Sequence, residues 1–115
     1  MQTMTDQELL NTVTPMIEKM HEGWNNNNLE TLIFHFSDDF ATFMSQDEFN
    51  KQRGKYYPQQ GELTNKKCLL IHRNPDNIVV IWETSCSKRA APALLTSMFS
   101  MKENNFVMSG ASVIF

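Results

Sequence analysis

A chain of 115 residues has material for one hydrophobic core and too little for two ordinary domains. Its 41% hydrophobic and 20% charged residues, with no apolar run near the roughly 20 residues of a membrane helix, describe a soluble globular domain. A net charge of −3 argues against a phosphate backbone as partner, because such binding wants a basic face.

The nearest approach to a basic face is Lys66–Lys67 beside Lys88–Arg89, which reads as a solvated sheet end, so neither nucleic acid nor membrane is expected as a partner. Met1 to Leu10 is polar and acidic, without the basic start and apolar centre of an export signal, and a cytoplasmic location is expected.

In chain order, Thr5-x-x-Glu8 is a capping box that opens a first helix. Leu9, Val13, Met16, Ile17, Met20 and Trp24 recur at helical spacing and form one buried stripe. Pro15 removes a backbone donor inside it, so a kink, or a short helix followed by a longer one, is expected. The helix should end near Gly23, with Asn25 to Asn28 as the link. A second helix runs from about Asn28 through Leu29, Leu32, Ile33 and Phe36, and Ser37–Asp38–Asp39 closes it. Phe40 to Met44 has the composition of a short strand. Ser45-x-x-Glu48 is a second capping box, for a helix through Phe49 to about Tyr57 that Pro58 and Gly61 end.

Beyond Gly61 the period becomes that of strands. Glu62 to Arg73, Ile78 to Arg89, Ala93 to Lys102 and Phe106 to Phe115 are divided by turn residues and read as an antiparallel meander. Three helices before four consecutive strands make an α+β domain, with the helices packed on a curved antiparallel sheet. In the simple hairpin registers one face gathers Leu69, Ile71, Val80, Trp82 and Met98, and the other Leu70, Ile81, Leu95, Phe99 and Ile114. Helices cover one such face well, so the other is expected to meet a second copy of the chain in a homodimer. The same registers put Cys68 opposite Glu83 and Cys86 opposite Asn65, on opposite faces and unbonded, unless a bulge changes the parity. No Cys or His spacing suits a metal, and neither metal nor cofactor is expected.

From Gly23-Trp24-Asn25-x-x-Asn28-Leu29-Glu30-x-Leu32 to Phe36-Ser37-Asp38-Asp39-Phe40 the chain resembles the nuclear-transport-factor-like superfamily, which includes SnoaL-like cyclases and ketosteroid isomerases. The order of elements over almost the whole chain agrees with it. The resemblance implies a cone-shaped fold with a pocket between helices and sheet, but no particular reaction, since the fold hosts enzymes, binding proteins and dimerisation modules.

In the isomerases of this superfamily a Tyr on the first helix supports an oxyanion, and an Asp just past the first strand moves a proton. Here the matching places offer Met16 and Met20, and Phe43-Met44-Ser45, so that pair is missing. Asp47 falls in a helix-capping turn, and Asp39 beside Asp38 reads as a turn device.

Other acid/base candidates are Glu83, mid-strand between Trp82 and Thr84, and His35, which flanks the stripe of the second helix. Glu83 suits a surface pairing with Lys66 as well as it suits a pocket. His21 is placed toward the polar side of the first helix and His72 near a strand end. Tyr56 or Tyr57 would hang over the opening. With eight methionines, the expected lining is apolar and adaptable: Met16, Met20, Trp24, Phe36, Phe43, Tyr56, Trp82 and Met98. The expectation is a domain that binds a small apolar molecule, with a cyclase, isomerase or dehydratase and a homodimeric interaction module as alternatives.

Overall fold

The computed structural model describes residues 3–115. It is an α+β domain in which helices precede a four-stranded antiparallel open sheet, ordered β1-β2-β3-β4. The elements are α1 (Asp6–Asn25), α2 (Leu29–Leu32), α3 (Asp38–Ala41), α4 (Gln46–Gln60), β1 (Leu63–Arg73), β2 (Ile78–Cys86), β3 (Ala93–Lys102) and β4 (Asn105–Ile114).

The capping box at the start of α1 is complete: Glu8 N–H donates to Thr5 Oγ1 at 3.1 Å and Thr5 N–H to Glu8 Oε1 at 3.1 Å. At α4 only half of the box forms. Ser45 accepts from Glu48 N–H, but the Glu48 carboxylate accepts from the Gln52 amide instead of reaching back. Pro15 does not split α1. It lies on the exposed side, where the carbonyl it leaves unbonded faces water.

The expected helix through Phe36 and strand at Phe40 to Met44 are both corrected. The second helix stops after one turn at Leu32, and the chain at His35–Ser37 pairs with β4. Ser37 N–H donates to the Met108 carbonyl at 2.8 Å, and Met108 N–H to the His35 carbonyl at 2.7 Å. Ser37 then caps α3, accepting from Phe40 N–H, so the aromatic run that looked like a strand continues as a helical turn. Phe36 and Phe40 stack at 4.3 Å between centroids across this junction.

Two close fits hold the helices in place. A Cβ on Gly23 would sit 2.2 Å from the Leu32 backbone nitrogen, so α1 and α2 meet only because position 23 has none. Asn25 acts as a substitute strand: its side chain donates to the Leu63 carbonyl at 2.9 Å and accepts from Leu63 N–H at 2.8 Å. The end of α1 is thereby joined to the start of β1.

In the sheet, two bulges in β1 revise the expected pairing, so that Cys68 lies opposite Trp82 and Leu63 opposite Cys86. Both thiols therefore project from the inner face rather than from opposite faces, four residues apart in register, and both are free. β2 and β3 pair as Trp82 with Leu95, Val80 with Ser97 and Ile78 with Phe99. This moves Leu95 and Phe99 to the inner face and Met98 to the outer one, the reverse of the simple register. The core between α1 and the sheet contains Leu9, Val13, Ile17, Ile78, Val80, Trp82, Leu95, Phe99 and Met108.

Candidate functional site

A cavity of about 490 Å3 lies between the end of α1, the α2–α3 segment, α4 and the last residues of β4. The α1 stripe brings Met20 and Trp24 to it, α2 and the turn after it bring Leu32 and Phe36, and the α3 region brings Phe40 and Met44. Ala111 and Val113, from the inner face of the edge strand, form the opposite wall, with Phe115 beyond them.

Helix α4 closes the cavity although it is mostly polar. Phe49 is fully buried and packs edge-on against Trp24 at 6.2 Å. Arg53 donates from Nε to the Trp24 carbonyl at 2.8 Å and from Nη2 to the Asn25 carbonyl at 3.2 Å. The last turn of α1 has no basic residue of its own, so this guanidinium supplies the positive charge that a helix C-terminus favours. Tyr56 reaches across to Phe115, with ring centroids 5.3 Å apart.

The lining is apolar at depth and contains two polar groups there. His21 is 4% exposed and Trp24 is 9% exposed. Neither His21 Nε2 nor Trp24 Nε1 has a hydrogen-bond partner among the described residues. Burial pushes the His21 imidazole down to about 4, so at neutral pH it is uncharged. Residues three apart share a helix face, which places both rings on the cavity side of α1. The sequence reading set His21 on the polar side. Its offsets of four from Ile17 and three from Trp24 were the signal that it belongs to the stripe.

Of the residues expected to line a pocket, Met20, Trp24, Phe36 and Tyr56 come together here. Met16 is buried in the core beneath them. Trp82 is core as well, its indole N–H donating to Ser97 Oγ at 2.8 Å, while that hydroxyl donates to the Val80 carbonyl at 2.9 Å. Phe43 is 76% exposed after α3, and Met98 is on the outer sheet face.

Glu83 is also on the outer face, opposite Lys67 on β1, where the bulge at Leu69 changes the expected neighbour. His35 is outside the cavity, its ring edge-on to Phe34 at 4.8 Å, and partial burial together with the Lys19 charge lowers its pKa. Asp38 pairs with Lys102 at 3.0 Å, and Asp39 is exposed in the first turn of α3. Among the described residues no group of His, Cys, Asp and Glu is arranged to hold a metal ion. The rim residues Glu48, Lys51, Gln52 and Lys55 were missed, because a helix with a single buried residue shows no apolar stripe to orient it.

No family model matches the chain, and no curated protein matches it. Among solved structures, Bd1075 of Bdellovibrio bacteriovorus superposes with a TM-score of 0.55 at 9% identity, over 89% of this chain and 38% of that one. AclR from Streptomyces galilaeus, provisionally described as a hydroxylase, superposes with a TM-score of 0.50 at 13% identity, over 88% of this chain and 77% of that one. The chain thus spans well under half the length of Bd1075. At these identities the likeness is one of fold, and the shared α+β fold is what the chain has in common with both.

Proposed function

We propose that this chain is a small-molecule-binding domain of the nuclear-transport-factor-like kind that takes a largely apolar ligand, without the acid/base pair of the ketosteroid isomerases. The observation that carries this reading is the 490 Å3 cavity, with its apolar wall and two buried, unpartnered nitrogens on His21 and Trp24. Leaving such groups unbonded costs about 1–3 kcal/mol each, so a ligand polar atom that met them would recover part of that loss. Met20 and Met44, in the same lining, have flexible side chains that can adapt to a ligand's shape. Of the acid/base candidates for a cyclase, isomerase or dehydratase, Glu83 and His35 lie outside the cavity and only Tyr56 lines it, so no two of them converge there, which favours binding over that alternative.

The test is titration with N-phenyl-1-naphthylamine, a neutral apolar fluorophore, with the methionine methyl NMR signals followed in parallel. Saturable fluorescence enhancement with shifts at Met20 and Met44 is expected. Folded protein that shows no saturable enhancement, or shifts confined to the outer-face Met98, overturns the reading.

A second proposal is a homodimer through the outer sheet face. It is motivated by Leu70, Leu94 and Ile114, which are 53%, 42% and 60% exposed there, with Ile81 and Met98 between them.

A further inference from the structure

The rim of the cavity differs in charge from the rest of the molecule. The chain has a net charge of −3, yet the charged side chains in the cavity lining are Lys51, Lys55 and Glu48, two cations to one carboxylate. Lys51 and Lys55 are one helical turn apart on α4 and so share the face turned to the cavity. Both are exposed, which marks them as the place where the apolar space meets solvent.

Neither lysine forms an ion pair among the described residues. The two ion pairs there are Arg73 with Asp6 and Lys102 with Asp38. Lys55 Nζ lies 5.1 Å from the centre of the Tyr56 ring, held beside the aromatic that closes the mouth. Glu48, the carboxylate side chain in the lining, accepts from the Gln52 amide at 3.0 Å, and Asp47, one turn before Lys51 on α4, is not part of the lining. Arg53, between the two lysines in sequence, is turned away and bound to the end of α1. The uncommitted cations of α4 are therefore the ones that border the cavity.

We propose that the ligand is an amphipathic carboxylic acid, its apolar body inside against Met20, Phe36, Phe40 and Met44 and its carboxylate at the rim between Lys51 and Lys55. This inference rests on the binding reading above and adds the ligand's charge and its direction in the cavity. Entry with the charged end outward leaves the carboxylate partly hydrated, so no ion is taken into the apolar interior, and the two ammonium groups need only approach it from one side. Placed the other way round, the carboxylate would lie beside the buried rings of His21 and Trp24 at the cost of its hydration, where the Arg53 guanidinium is already bound to the Trp24 and Asn25 carbonyls and is not part of the lining.

Three ligands separate the claims: 2-naphthoic acid and 2-naphthamide, which have nearly the same shape, and the larger neutral N-phenyl-1-naphthylamine, each titrated at low salt by isothermal calorimetry. 2-Naphthoate is expected to bind about fivefold or more tightly than 2-naphthamide, as two partly exposed ion pairs would supply, and the preference should shrink in 0.5 M salt. In the Lys51→Gln/Lys55→Gln double variant the acid and the amide should bind equally, while the neutral fluorophore binds as it does to the parent, which also shows that the cavity is intact. Equal binding of acid and amide to the parent protein, or a preference for the acid that survives the double variant, overturns the headgroup assignment and leaves the cavity reading in place. Failure of all three ligands to bind overturns both.

Discussion

At position 21, burial changes what an imidazole does. The neutral form fits the cavity wall and the charged form does not, so the pKa falls from about 6.5 toward 4. A depressed histidine pKa means that the unfolded chain takes up the proton first. The stability that goes with a neutral His21 is therefore complete above about pH 6.5 and is lost as pH falls from there toward 4. Between pH 7 and pH 5 this linkage amounts to about 2 kcal/mol. Urea unfolding at the two pH values should show that loss in the parent, and most of it should vanish in His21→Phe. An equal loss in both proteins would mean that another group carries the acid sensitivity.

Trp82 makes the complementary point at the same scale. It was expected in a pocket, but its indole N–H is satisfied by Ser97, and it packs as core. A buried Trp with a partner and a buried Trp without one are the same letter in a sequence. The packing of β2 beside β3 brings Ser97 to the indole of Trp82, while Trp24, at the end of α1, meets no such partner among the described residues.

Among the elements, glycines at two helical positions make opposite predictions. A methyl at Gly23 must push against the Leu32 backbone, which has no flexible end to move, so Gly23→Ala should cost about 3 kcal/mol, near the upper end for overpacking. At Gly54, within α4, an added Cβ meets nothing within 4 Å, and Gly54→Ala should stabilise by roughly 0.5–1 kcal/mol through helix propensity. Paired thermal melts check the contrast. Two variants that behaved alike would show that the α1–α2 approach is not tight.

The capping signals at Thr5, Asn28 and Ser45 were legible because each is a local event spanning three residues. Ser37 was legible as a boundary but not as a cap. Phe40 to Met44 carries strand propensity, and what kept it helical is that β4 takes its partner from His35–Ser37 instead. In the same way α4 was found by its start and not by its face: it runs through Pro58 to Gln60, and it is oriented by Arg53 on the α1 carbonyls and by the Phe49 plug.

For the molecule as a whole, the homodimer proposed above would form through the sheet's outer face. Leu70 on β1, Leu94 on β3 and Ile114 on β4 span the sheet from edge to edge on the side away from the helices. A copy of the same surface would cover them. Light scattering at micromolar concentration should give twice the 13.3 kDa chain mass, and Leu94→Glu should return it to one. A monomeric mass for the parent would remove the dimer.

Local physics decided much of this protein from sequence alone: where α1 and α4 begin, the change of period after Gly61, four strands in meander order, and hence the α+β class. Each follows from caps, turns or side-chain periodicity, which act within a few residues. The tertiary structure alone decided which residues share a face and which meet in the cavity. The β1 bulge at Leu69 and a one-residue difference between β2 and β3 moved Cys68, Leu95, Met98 and Phe99 across the sheet. The cavity is assembled from α1, the α2–α3 turn, α4 and β4, and the contacts that bring them together, Gly23 on Leu32, Asn25 on Leu63 and Arg53 on Trp24, have no spacing in the sequence to announce them.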